Sequence, residues 1–179
     1  MRKSIVFLVV AASAVALAGS AVGLFAREGA KKEVLGRMAV VCIPEWDISI
    51  KAKIDTGAYL VSLHVSNLTL VKKSPPTVRF RTIDADGNEH TIEARVVRHV
   101  KVRSSFGHRS QRPAVRARLC LGAQAVDAIV SLADRSDMRF PMLIGRKVLK
   151  GRFIVDPARI QVRAGECCRR LTSSPDRSG

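Results

Sequence analysis

A carboxylate, a hydroxyl and a glycine stand together at Asp55-Thr56-Gly57-Ala58, directly after the apolar run from Ile48 to Ile54. Far along the chain, Leu143-Ile144-Gly145-Arg146 supplies apolar side chains, a glycine and a cation that could shield and back such a carboxylate. Hydrolysis by carboxylates needs two acids within a few ångströms. Close like charges resist joint ionisation, so one acid keeps its proton while the other activates water as base. Asp55 alone is half of that pair, and an isologous dimer would supply the other half. Thr56 offers a short hydroxyl for a backbone hydrogen bond across a two-fold axis, and Gly57 lets the chain bend and approach its neighbour closely. The same three letters also make an ordinary surface turn, so the flanking elements carry the argument.

Those elements are mostly strands. Ile50-Lys51-Ala52-Lys53-Ile54 runs straight into the motif, and Ser62-Leu63-His64 continues an extended segment beyond it. Phe140-Pro141-Met142-Leu143-Ile144-Gly145-Arg146 reads as a short buried strand, with Lys147-Val148-Leu149 starting a helical turn. Apolar and polar residues alternate over Val34 to Ile43, Ile48 to Ile54, Val78 to Ile83, Thr91 to Val97, Ala114 to Leu121 and Ala125 to Leu132, the two-residue period of half-buried strands. Asp86-Gly87 and Leu121-Gly122-Ala123-Gln124 mark turns. The expected fold class is mainly β.

At these residues the chain resembles the retropepsin-like aspartic peptidases, the fold of the homodimeric retroviral proteases, and most closely a bacterial branch catalogued as ATP-dependent zinc proteases. The matching pieces are Lys53 to Ala58, Ser62-Leu63-His64, Ser104-Ser105-Phe106-Gly107, Gln111-Arg112-Pro113, Asp134-Arg135, Met142 to Arg146 and Val155-Asp156. They span about Glu33 to Arg163. The resemblance implies a closed β-barrel forming one acid-protease half, a short C-terminal helix and a homodimer. It implies Asp55 as the catalytic residue, one per protomer, with Thr56 and Gly57 buttressing it and Ile144, Gly145 and Arg146 behind. A peptidase of this kind also needs a cover that grips an extended substrate. Ala58 and the turn at Ser104, Ser105, Phe106 and Gly107 take that part, in preference to Asp84 to Asn88, which reads as an extra hairpin.

Two departures stand out. The bacterial branch usually has an Arg-Thr-Ser run after the Ala, where this chain has Tyr59-Leu60-Val61. In the viral enzymes an Asp at the position of Tyr59 pairs with the Arg matching Arg146. Arg146 is therefore expected to turn to Asp134 or Asp137, or to stay solvated.

Neither ATP nor zinc follows from the residues. The chain lacks a Gly-x-x-x-x-Gly-Lys-Ser/Thr loop and a His-Glu-x-x-His helix, and His64, His90, His99 and His108 have no close ligand spacing. No cofactor and no metal is expected. The first reading is an aspartic endopeptidase acting on a peptide or protein. A non-catalytic module on the same fold, docking an anionic envelope polymer or partner protein, is the second; a zinc hydrolase using His64 and Asp55 is the third.

Arg2 and Lys3 precede an uncharged apolar stretch from Ser4 to Ala26, with small residues at Ala16-Leu17-Ala18. Residues 1–26 are expected to be a bacterial export signal or a retained anchor, since a span needs roughly 20 residues. The protein would then be periplasmic, or held on the inner membrane facing the periplasm. Residues 33–163 form the expected peptidase domain and 164–179 a loose basic tail. Of 31 Lys and Arg, two lie in the leader, leaving 29 against 15 acids, a charge of +14. Such a surface attracts anions. One Trp and one Tyr make a poor stacking platform for nucleic acid, so an acidic peptide or an anionic envelope surface is the expected partner. The resemblance points the same way, since proteins of this kind often accompany ligases that add glutamate. Cys42 and Cys120 read as core residues, bridged to each other if their strands adjoin. Vicinal Cys167-Cys168 reads as a subunit cross-link or as exposed thiols.

Overall fold

Alternating apolar residues become sheet through most of the described residues. The computed structural model describes residues 32–103, 109–162, 165, 167 and 168. In chain order the elements are β1 (Glu33–Leu35), β2 (Met38–Ile43), a 3-10 turn (Pro44–Trp46), β3 (Ile48–Ile54), β4 (Val61–His64), β5 (Ser66–Val71), β6 (Thr77–Ile83) and β7 (Glu89–Arg103), followed by β8 (Arg109–Leu121), β9 (Gln124–Ala133), β10 (Met142–Ile144), α1 (Arg146–Leu149), β11 (Phe153–Val155) and β12 (Gln161–Val162).

Six of these strands close a barrel. Around it run β2, β3, β10, β4, β9 and β8, and β2 meets β8 again through the pair Cys42 and Cys120. Closure removes the free edges an open sheet would leave. The period-2 pattern decides which side chains enter: Ile48, Ile50, Ala52 and Ile54 of β3 are buried, while Lys51 and Lys53 between them are exposed. Leu63, Leu119, Leu132, Met142 and Ile144 fill the interior from the neighbouring strands. Outside the barrel, β7, β6 and β5 extend the sheet as a flange. Phe80 of β6 anchors it by meeting Trp46 edge-on at 5.8 Å, and the buried Thr82 hydroxyl donates to the His64 carbonyl at 2.9 Å.

The mainly β barrel with a short helix after β10 agrees with the expected fold class. Differences lie at the strand ends. The run from Val34 to Ile43 breaks at Gly36, where a Cβ would lie 2.8 Å from the Arg159 carbonyl oxygen, and β1 leaves to pair in parallel with β11. The strands β7 and β8 are longer than their apolar alternation indicates and stay paired out to Arg103 and Arg109. The turn expected to cover the site, Ser104, Ser105, Phe106 and Gly107, lies outside the described residues, as do the leader at 1–26 and most of 164–179. No helix among the described residues is long and apolar enough to cross a membrane.

Candidate active site

The site begins with the short strand β10. Met142-Leu143-Ile144 slots between β3, with which it runs parallel, and β4, with which it runs antiparallel. Strands β3 and β4 flank the Asp55 loop in sequence, so β10 welds both ends of that loop to one ladder. The Asp55 amide donates to the Ile144 carbonyl at 3.0 Å, the Arg146 amide to Ala58 O at 2.8 Å and the Lys147 amide to Tyr59 O at 3.0 Å. Gly145 is required at this crossing, because a Cβ there would lie 2.8 Å from the Tyr59 carbonyl oxygen.

Within the loop, Asp55 Oδ1 accepts from the amides of Gly57 at 2.9 Å and Ala58 at 3.1 Å. That pins one carboxylate oxygen and leaves Oδ2 facing Lys53 Nζ at 3.8 Å. Asp55 opens onto a groove of about 750 Å³ shared with Arg37, Lys53, Thr56, Arg139, Phe140 and Ile160, among others. It is the one acid lining that groove among the described residues. Exposed apolar side chains line the cavities beside the loop: Tyr59 is 60% exposed and Ile160 59%.

Arg135 reaches the same region. Its Nη2 donates to the carbonyl of Phe140, a groove residue, at 3.5 Å, and its Nε is buried without a partner among the described residues. Burial holds this guanidinium below its usual range; Arg112 nearby adds to that, and the Asp55 charge opposes it. The buried, under-used donor therefore lies within electrostatic reach of Asp55.

The family model described as "RimB-like: Retropepsin-like aspartic endopeptidase RimB" matches residues 34–166. The chain belongs to this family. A protein named "Probable alpha-L-glutamate ligase" from Desulfotalea psychrophila is 30% identical over 140 residues, covering 75% of this chain and 30% of its own length. A protein of the same name from Shewanella pealeana is 30% identical over 114 residues, 62% of this chain and 25% of its own. The chain thus spans less than a third of these curated relatives. The crystal structure of Lpg0085, a protein of unknown function from Legionella pneumophila, superposes with a TM-score of 0.62 at 27% identity, covering 74% of this chain and 98% of that one.

For a chain of the retropepsin-like family, the residues singled out in the sequence come together in part. Asp55, Thr56, Gly57 and Ala58 form one loop, with Ile144 buried behind it and accepting from the Asp55 amide, Gly145 packed against the Tyr59 and Leu60 backbone, and Arg146 hydrogen-bonded to the loop. Of the alternatives expected for Arg146, neither acid is its partner: it bonds neither Asp134 nor Asp137, and it stays exposed with its Nη1 donating to the Thr56 carbonyl at 3.3 Å. A main-chain acceptor replaces the missing acid at Tyr59. The Asp134 carboxylate is held below the usual range by the Ser136 amide, and His64 lies 3.6 Å away. His64 Nδ1 accepts from the Arg135 amide at 2.9 Å, so that nitrogen is already engaged by the backbone. No group of three metal-capable side chains occurs among the described residues. Arg135 and Arg112 lie within the segments that carry the family resemblance, and nothing in their sequence context alone marks them as site residues.

The cysteines bring a second correction. Cys42 and Cys120 are cross-strand neighbours, yet each bonds into the tail, Cys42 to Cys168 and Cys120 to Cys167. Cys167 and Cys168 are buried. They are neither exposed thiols nor subunit cross-links.

Proposed function

We propose that this protein is an exported aspartic endopeptidase that acts as a homodimer, with Asp55 and Asp55 of the partner subunit sharing one proton across a two-fold axis. The observation that carries this reading is a preorganised carboxylate, braced by two amides and β10, that has no second acid in its groove. One carboxylate cannot supply both acid and base. The exposed Tyr59, Met138 and Ile160 supply apolar surface of the kind a dimer interface covers. On pairing, one carboxylate draws a proton from water attacking the peptide carbonyl, and the protonated partner hydrogen-bonds the carbonyl oxygen and later protonates the leaving amine. Lys53, 3.8 Å from Oδ2, tempers the repulsion between the two acids.

An acidic peptide is the substrate class this groove favours. Arg37, Lys53 and Arg139 line it, and Arg135 adds a buried donor alongside. Relatives named as glutamate ligases carry a segment like this chain, which fits a substrate bearing glutamates. Export is supported by the leader-like N-terminus and by two disulfides, which persist in oxidising compartments.

The test pairs mass with turnover. Light scattering on the wild-type chain and on Asp55→Asn is expected to give a dimer for both, while cleavage of acidic peptides falls by about a thousandfold or more in the variant. A monomer at high concentration would remove the shared-aspartate mechanism. The same surface also fits a binding module. Salt-sensitive binding of an anionic polymer that survives Asp55→Asn, with no turnover of any peptide, would select that reading.

A further inference from the structure

Beyond α1 lies a hollow that the chemistry at Asp55 does not use. It encloses about 260 Å³ between β8, β9 and α1, with Arg116, Lys147 and Arg152 on its walls and Val61, Val126 and Val148 among its apolar lining. One acid faces it, Asp127, and that carboxylate is occupied: Arg118 Nε donates to it at 3.0 Å and holds it below its usual range, with a smaller contribution from Arg116. Arg116, Lys147 and Arg152 make no ion pair among the described residues. Three cations thus converge on a cavity that holds no free counter-charge.

This hollow is the far end of a track. It shares Lys147 and Arg152 with a larger cavity of about 950 Å³ over α1, where Arg146 and Lys150 add further charge. That cavity meets the Asp55 groove at Thr56 and Val155. A helix with its side chains is about 10–12 Å across, and an extended peptide advances about 3.3 Å per residue. A peptide lying over α1 therefore reaches the hollow about three to four residues from the bond held at Asp55.

We infer that the hollow at Arg116, Lys147 and Arg152 is a remote subsite for a carboxylate side chain of an acidic peptide, filled while the scissile bond sits at Asp55. The subsite rests on the endopeptidase reading for its role but not for its binding chemistry. Guanidinium groups suit carboxylates because their donors form a planar fork, and the apolar lining excludes water from the contact. Exposed charges contribute little singly, so the subsite depends on three acting together and weakens with salt.

The experiment uses the full chain carrying Asp55→Asn and fluorescein-labelled peptides read by anisotropy. Each peptide has a fixed neutral centre and a Glu pair placed one, two, four or six residues away, with matched Gln controls. Glu at four is expected to tighten binding about tenfold over Gln at low salt, with less gain at one, two or six, and Arg116→Ala to abolish most of that gain, whereas Arg116→Lys, which keeps the charge and loses the fork, retains part of it. The proposal is overturned by an equal gain at every Glu position, by no gain at all, or by a folded Arg116→Ala chain that retains the gain. Should Arg116→Ala fail to fold, the position series on the Arg116 chain decides alone. Parallel cleavage assays on the wild type separate the two readings. Position-dependent binding without turnover sinks the peptidase and leaves the subsite; turnover without the distal gain does the reverse.

Discussion

A methyl group at position 57 would lie 3.1 Å from Asp55 Oδ1, tighter than carbon and oxygen normally approach. It would push on the oxygen that the Gly57 and Ala58 amides hold at 2.9 and 3.1 Å. Gly57 is exposed, so Gly57→Ala is expected to cost under about 1 kcal/mol of stability. Activity is another matter, because misplacing a reacting group by a fraction of an ångström to 1 Å costs about ten- to a hundredfold in rate. The prediction is a kcat loss of that size on an acidic peptide with a thermal midpoint lowered by a few degrees at most. An unchanged kcat would mean that the placement of Oδ1 does not matter to turnover. At this scale the sequence was readable where residue type dictates geometry, as with Asp55, Gly57 and Gly145. It was silent where the partner is main chain: nothing in the order of letters says that Arg146 would donate to the carbonyl of Thr56. Arg135 was hard to rank for a related reason, since it is one of 31 Lys and Arg and only its burial sets it apart.

The turn joining β6 to β7 shows what an element can hide. Asp84 accepts from the side chain of His90 at 2.7 Å, from the Asn88 amide and side chain, and from the Asp86 amide. The His90 contact, then the Asn88 amide, hold the Asp84 carboxyl well below the usual carboxylate range. A depressed folded-state pKa stabilises the fold above the unfolded pKa, and that stability is lost as pH falls toward the folded value. Asp84→Asn is therefore expected to lower the thermal midpoint at pH 7, with the gap to wild type shrinking below about pH 4, where the unfolded carboxyl also protonates. A gap that stays constant down to pH 2 would show that the carboxylate's charge contributes nothing. Strand alternation made β3, β6 and the first half of β9 legible because each has one buried face. Strand β5 was missed because Ser66 to Leu70 are all exposed, leaving no apolar period to detect. The outer halves of β7 and β8 escaped because Arg, Lys and His occupy so many of their positions.

At the scale of the whole molecule, the barrel closes at its weakest seam and is stapled there. Strands β2 and β8 share a single paired position, Cys42 with Cys120, and adjacent tail residues bond one to each strand with Cα separations of 5.7 and 5.5 Å. Four cysteines allow three pairings, and spacing alone cannot choose among them. The choice is made by three-dimensional placement, which brings the tail over the seam. The bridges span 126 and 47 residues, and because they share neighbouring anchors their effects overlap. Together they are expected to contribute about 3–5 kcal/mol, chiefly by restricting the unfolded chain. For a protein of this size that is roughly 6–20 °C in the thermal midpoint. Calorimetry with and without a phosphine reductant should show a drop of that order for the wild type. The Cys167→Ser/Cys168→Ser double variant should already sit near the lower midpoint and respond little to reductant. On a non-reducing denaturing gel the wild type should run as a single chain, since both bonds lie within one protomer and the proposed aspartate pair needs no covalent link between subunits. A reductant that leaves the wild-type midpoint in place would mean the seam is held by strand pairing alone.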